Sequence, residues 1–114
     1  MLTINKLSEG DKVTFALEGR LDVAGAPQLE AELRRELEHA TELVFDFRSL
    51  AYISSAGLRV LLLAQKRMNT QCRMRLEHVN EAVMDILEIT GFVDIFYIAD
   101  SEPVSDTNLP LKLD

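Results

Sequence analysis

The sequence predicts an α/β fold in which a β-hairpin leads into alternating helices and strands joined by parallel crossovers. Three observations carry this. The chain has 114 residues, 47% of them hydrophobic, which is one domain's length with enough apolar side chain for one core. Two early runs alternate polar and apolar residues with the period of two that suits strands. Three later stripes repeat at helical spacing, and short apolar runs stand between them.

The first strand is marked by Leu2, Ile4 and Leu7. Ser8-Glu9-Gly10-Asp11 is turn chemistry. Val13, Phe15 and Leu17 then alternate with Thr14, Ala16 and Glu18, so the two strands read as a hairpin. Gly19 and Gly25 bracket a loop. Pro27 suits the start of a helix, where its missing N–H is not needed, and Leu29, Leu33 and Leu37 give that helix an apolar stripe to about Ala40. Leu43-Val44-Phe45-Asp46-Phe47 is mostly apolar with little alternation, the pattern of a central strand. Arg48 to Ile53 reads as a loop.

A second helix runs from about Ala56 to Asn69, with Leu58, Leu61, Leu62 and Met68 on its buried side. Met74, Leu76 and Val79 suggest another strand. Asn80 is a good N-cap for a third helix with Val83, Ile86, Leu87 and Thr90 on its stripe. Gly91 ends it as a C′ residue, followed by Phe92 for the accompanying hydrophobic contact. Ile95 to Ala99 is a last strand candidate. The segment from Asp100 to Asp114 holds Pro103 and Pro110, lacks periodicity, and reads as an irregular tail. The element order is thus ββαβαβαβ.

Composition excludes several function classes. Nineteen acidic residues against 12 basic ones give a net charge of −7, which argues against nucleic-acid binding through clustered cations and against anionic membrane surfaces. One cysteine, Cys72, rules out an internal disulfide and a multi-thiolate zinc site. No basic, then apolar, leader pattern opens the chain. The apolar run Val60 to Ala64 is far short of the ~20 residues that span a bilayer. A cytoplasmic protein is expected. The charge is also segregated: Ser55 to Leu76 carries five basic residues and no acidic one, and Glu77 to Glu102 seven acidic residues and no basic one. Either these blocks attract each other within the fold, or they select a partner.

Reactive groups are few. His39 and His78 are far apart in sequence and read as solvated surface histidines. Cys72 reads as an ordinary thiol. There is no phosphate-binding glycine loop and no cluster with metal-ligand spacing. The chain is therefore expected to be no enzyme and to need no cofactor or metal. The informative stretch is Asp46 to Leu62, where a buried strand is followed by Ser54 and Ser55 at the start of an apolar helix. Unpaired N–H groups and partial positive charge gather at such a start. Ala56-Gly57-Leu58 supplies no carboxylate to balance them, and Gly57 leaves the backbone approachable. Either serine is a natural N-cap, and a phosphate there would sit where negative charge is favoured.

The stretch Tyr52-Ile-Ser-Ser-Ala-Gly-Leu-Arg-Val-Leu-Leu62 resembles the signature of the STAS domain, typified by bacterial anti-sigma factor antagonists. Gly19-Arg-Leu-Asp22, Val44-Phe-Asp-Phe47 and Leu87-Glu-Ile-Thr-Gly-Phe92 extend the match over roughly residues 2–100. The resemblance implies one STAS-type domain over residues 1–100: a small mixed β-sheet with helices packed mainly on one face. It also implies that Ser55 is phosphorylated by the partner, an anti-sigma factor with serine kinase activity. The unphosphorylated antagonist binds that partner, phosphorylation breaks the complex, and a phosphoserine phosphatase restores it.

The implied partner-binding surface comprises Asp22, Ser54, Ser55, Ala56, Gly57, Leu58 and Arg59. Two features depart from the family pattern. Ser54 stands where many antagonists carry an acidic residue and becomes a competing acceptor, and the tail lacks the final helix that commonly closes these domains. No nucleic acid and no membrane insertion are implied. The alternative function within the same resemblance is a non-catalytic STAS subunit of a bacterial lipid-transport ABC complex.

Overall fold

The computed structural model describes residues 1–68 and 73–99. Its elements run β1 (Leu2–Glu9), β2 (Lys12–Leu21), α1 (Gly25–Glu36), β3 (Glu42–Ile53), α2 (Ser55–Met68), β4 (Arg73–Glu77), α3 (Glu81–Thr90) and a 3-10 turn at Phe92–Asp94. The four strands form one sheet in the order β1-β2-β3-β4. The first pair is antiparallel and the other two are parallel. The expected fold class is the observed one.

Alternation along the strands builds the core. Val13, Leu43 and Met74 form one row across β2, β3 and β4, and Phe15, Phe45 and Leu76 the next. All six are buried, and the Phe15 and Phe45 rings stack at 5.8 Å between centroids. Leu29 and Leu33 of α1, Leu58 and Leu61 of α2, and Val83 and Leu87 of α3 complete the same apolar cluster. The helices therefore cover this face of the sheet. The other face carries the polar alternates, among them Thr14, Asp46 and Arg75. Arg75 Nε donates to Glu77 Oε2 at 2.6 Å and its Nη1 to Glu42 Oε2.

Several element boundaries differ from the sequence reading, each for a local reason. β3 does not stop at Phe47 but runs to Ile53, and β2 runs on to Leu21. Two irregularities break the register: Ala16 pairs with Asp46 but Glu18 with Ser49, and Gly19 pairs with Leu50 but Arg20 with Tyr52. Each adds a residue to β3 and flips the face its side chains point to. Phe47, Leu50 and Ile53 are thus all buried at a spacing of three, which in sequence looks like a loop. Asn80 satisfies the disturbed backbone, its Nδ2 donating to Phe47 O at 3.1 Å and Leu50 O at 2.7 Å.

Helix α1 starts at Gly25, two residues before Pro27, because Asp22 caps it. It ends at Glu36 rather than Ala40. The Asn80 cap and the left-handed Gly91 (φ 83°) are as expected. β4 ends at Glu77, short of Val79. The last strand candidate reduces to a single parallel bridge between Leu76 and Ile98. The 3-10 turn after Gly91 takes up Phe92–Asp94, so only the end of the run reaches the β4 edge. The readings made for Cys72 and for the tail lie outside the described residues, and so does the side chain of Met68.

Candidate functional site

Because β2 and β3 are parallel, their C-terminal ends share one edge of the sheet, the usual place for function in such folds. Leu21 and Ile53 are register partners there, and Ser54 N donates to Leu21 O at 2.8 Å. That bond ties the segment after β2, which carries Asp22, to the segment after β3, which carries Ser54 and Ser55. The sequence-predicted residues from both segments are thereby brought to one end of the molecule.

The two serines have different jobs. Ser54 is the N-cap of α2: its Oγ accepts from Gly57 N at 3.2 Å and its carbonyl from Leu58 N at 2.9 Å. It is only 7% exposed. Ser55 is the first residue of the helix and is exposed. No acidic residue occupies the first turn of α2, so its N–H groups and dipole lack a local counter-charge. Arg59, one turn on, is exposed, Ala56 is half-buried, and Leu58 points into the core.

Gly57 fixes how closely α2 approaches β2. A Cβ at this position would stand 2.6 Å from Leu21 Cγ and 2.9 Å from Leu21 O. Any side chain would therefore push the helix start away from the end of β2. Asp22 is equally tied in. Its Oδ1 accepts from Gly25 N at 2.9 Å and its carbonyl from Ala26 N at 2.9 Å. The hydrogen bond from Gly25 N–H holds its carboxyl below the usual carboxylate range. Asp22 is thus ionised at neutral pH as well as structural. Val23, beside it, is exposed.

Sequence reasoning missed one pair at this edge. The Arg20 guanidinium lies 4.4 Å from the centre of the Tyr52 ring, a cation–π contact. The two residues are 32 apart in sequence, and only the second register shift makes them partners. A pattern that treated 48–53 as a loop carried no signal for it.

The remaining candidates sit elsewhere. His39 is exposed in the connection before β3, with Glu38 at 4.0 Å. His78 follows β4, which pairs only with the first half of β3, and its Nε2 lies 2.8 Å from Arg48 Nη2. A groove of about 400 Å³ between α1 and α2 is lined by Leu33, Leu37, Val60, Leu63, Lys66 and Arg67. It lies further along α2 and includes none of the predicted site residues. Among the described residues no three potential ligands gather around a metal position, and no helix is long and apolar enough to cross a membrane. Nor does any ion pair among them join basic α2 to acidic α3. Between the two charge blocks the described residues show one ion pair, Arg75 with Glu77 at 2.6 Å within β4.

Comparison with known proteins places this geometry. Residues 4–97 match the family described as "Mlab, STAS domain". BtrV of Bordetella bronchiseptica, which carries the name anti-sigma factor antagonist, is 38% identical over 102 residues, covering 88% of this chain and 86% of BtrV. The anti-sigma-B factor antagonist of Bacillus subtilis is 30% identical over 95 residues, covering 82% of this chain and 86% of that one. Among solved structures, the phosphorylated form of the Bacillus cell fate determinant SpoIIAA shares the fold. Its TM-score is 0.67 at 17% identity, over 90% of this chain and 94% of that one. By its family match and its relatives, the chain belongs to the STAS-domain family.

Proposed function

We propose that this chain is an anti-sigma factor antagonist: a non-catalytic module that sequesters an anti-sigma factor with serine kinase activity while Ser55 is unphosphorylated. The observation that carries the reading is the division of labour between two adjacent serines. Ser54 is buried and committed to the cap, whereas Ser55 is exposed at the first helical position. That contrast favours Ser55 over Ser54 as the acceptor. The names of the relatives support the antagonist role. SpoIIAA, which shares the fold, has been solved in a phosphorylated form, and a phosphorylated state of this chain is consistent with that.

In this reading Asp22, Ser55, Ala56 and Arg59 present the partner-binding surface, while Ser54, Gly57 and Leu58, expected there from the resemblance, are buried and shape it from beneath. Ser55 Oγ attacks the γ-phosphorus of ATP held by the partner. The bond to ADP breaks, and the hydroxyl proton passes to a base on the kinase. The phosphate adds ~−1.5 to −2 charge at a surface built to meet a protein, and the complex parts. A phosphatase hydrolyses the ester, returning the serine and inorganic phosphate. The module acts in the cytoplasm and contacts neither nucleic acid nor the membrane interior.

The test is incubation with the cognate anti-sigma kinase and ATP, followed by mass spectrometry and binding measurements. One phosphate on Ser55 is expected, together with at least a ~10-fold loss of affinity in Ser55→Asp, or ~1.4 kcal/mol. Phosphate on another residue, or unaltered binding by Ser55→Asp, overturns the reading. Capture of lipid-transport subunits without any sigma regulator supports the transport-subunit alternative instead.

A further inference from the structure

We infer that Arg59 changes partners with the state of Ser55: it meets a carboxylate of the bound protein when Ser55 is free, and the phosphate on its own helix when Ser55 is modified. This rests on the reading of Ser55 given above and extends it to how the complex is released.

Ser55 and Arg59 are four positions apart on α2 and both are exposed. Residues at that spacing are neighbours on a helix surface, with ~5–6 Å between Cβ atoms. Gly57 and Leu58 between them turn inward. The order is the favourable one, anion N-terminal to cation, so pairing and helix dipole act together. A guanidinium can also grip two phosphate oxygens at once.

Among the described residues nothing competes for this cation. Lys6, Arg34, Arg35 and Arg75 are all paired with glutamates. Arg59 makes no ion pair with any described residue, and α2 contains no acidic residue at all. In a chain of net charge −7, an exposed cation left unpaired on the proposed binding surface is suited to a carboxylate on the partner. Phosphorylation then acts twice at one place. It adds negative charge, and it withdraws the cation that had held the partner.

The test separates this inference from the reading beneath it. Phosphoserine is installed at position 55 during synthesis, so no kinase is needed. The phosphate is titrated by phosphorus NMR in the otherwise unchanged chain, in Arg59→Gln and in Arg59→Lys. The second pKa of the phosphate should be lower with Arg59 than with Gln by about 0.3 unit, with Lys between. Equal values in the unchanged chain and Arg59→Gln overturn the phosphate half.

In parallel, binding of the unmodified chains to the anti-sigma kinase is measured at low and high salt. Arg59→Gln should bind ~3–10-fold more weakly at low salt, and the gap should narrow as salt screens the pair. If the unchanged chain binds and Arg59→Gln binds equally well, the partner half fails while the functional reading stands. If the unchanged chain does not bind at all, the functional reading itself fails.

Discussion

Replacing Ser54 and Ser55 separately by alanine separates a structural serine from a signalling one. The Ser54→Ala change removes the Oγ that accepts from Gly57 N at 3.2 Å. Ser54 is 7% exposed and Gly57 is buried, so water is poorly placed to replace the lost acceptor. Losing a cap costs ~0.5–2 kcal/mol, and leaving a buried N–H unsatisfied costs ~1–3 kcal/mol. The two describe the same lost bond and are not added. About 1.5 kcal/mol is the expected destabilisation, since the bond is on the long side. In a domain of this size that lowers Tm by roughly 6–8 °C.

Ser55→Ala removes an exposed hydroxyl that does not hold the cap, so its stability should stay within ~0.5 kcal/mol of the unchanged chain. Urea denaturation of both variants measures this. The kinase assay should reverse the ranking, with Ser54→Ala still accepting phosphate and Ser55→Ala not. Equal destabilisation by the two changes, or a loss below ~0.3 kcal/mol for Ser54→Ala, would refute the assignment of roles.

Three further outcomes are expected. Gly57→Ala places a Cβ against Leu21. Overpacking costs ~1–3 kcal/mol and better helix propensity returns ~1 kcal/mol, so urea titration should show a net loss near 1 kcal/mol, with weaker partner binding alongside. Asn80→Ala removes the α3 cap, at 3.0 Å from Val83 N, and the three β3 carbonyl contacts together; a loss of ~2–3 kcal/mol is expected, and a loss no larger than a simple cap would show that the β3 contacts contribute nothing.

The third outcome concerns acid. The hydrogen bond from Arg75 holds the Glu42 carboxyl below its usual value. The native state therefore binds this proton less tightly than the unfolded chain does. The resulting stability is full above the ordinary glutamate value of ~4.3 and is lost as pH falls through the lowered native one. Glu42→Gln should flatten that part of the acid limb in denaturation curves taken from pH 7 to pH 3. A variant that loses as much stability on acidification as the unchanged chain would count against it.

What the sequence made legible depended on whether the physics was local. Asn80 and Gly91 were readable because a cap and a left-handed terminus are decided within a few residues. Phe15 was readable because alternation survives in β2, and Phe45 because the short apolar run Leu43–Phe47 marks a central strand. The second half of β3 was not, because two register shifts turn a period of two into a period of three. Asn80 hydrogen-bonds the carbonyls of this stretch from 30 or more residues away, a contact that no local pattern announces. The start of α1 was missed because its cap comes from Asp22, three residues before Gly25, rather than from the adjacent position. At the site, the position of Ser54 and Ser55 before an apolar helix was readable from the residues, and Asp22 entered only through the family resemblance. Only the fold could say which serine is buried, or that Arg20 lies over Tyr52.

These details bear on why the proposed switch should act on the complex and leave the fold alone. A phosphate on Ser55 would meet the start of a helix with no carboxylate in its first turn, where negative charge is tolerated. The cap beneath it is already made by Ser54 and does not depend on Ser55. Gly57 seats the helix start against Leu21, and the Ser54 N to Leu21 O bond holds the two segments together. The edge therefore has little room to absorb the new charge by shifting. Asp22 on the adjoining segment stays ionised, because the Gly25 N–H stabilises its carboxylate. A partner that docks here must accommodate Asp22 in both states, but the phosphate in only one. Under the proposed function, the cost of the added charge would consequently fall on the interface, and the chain itself would stay folded.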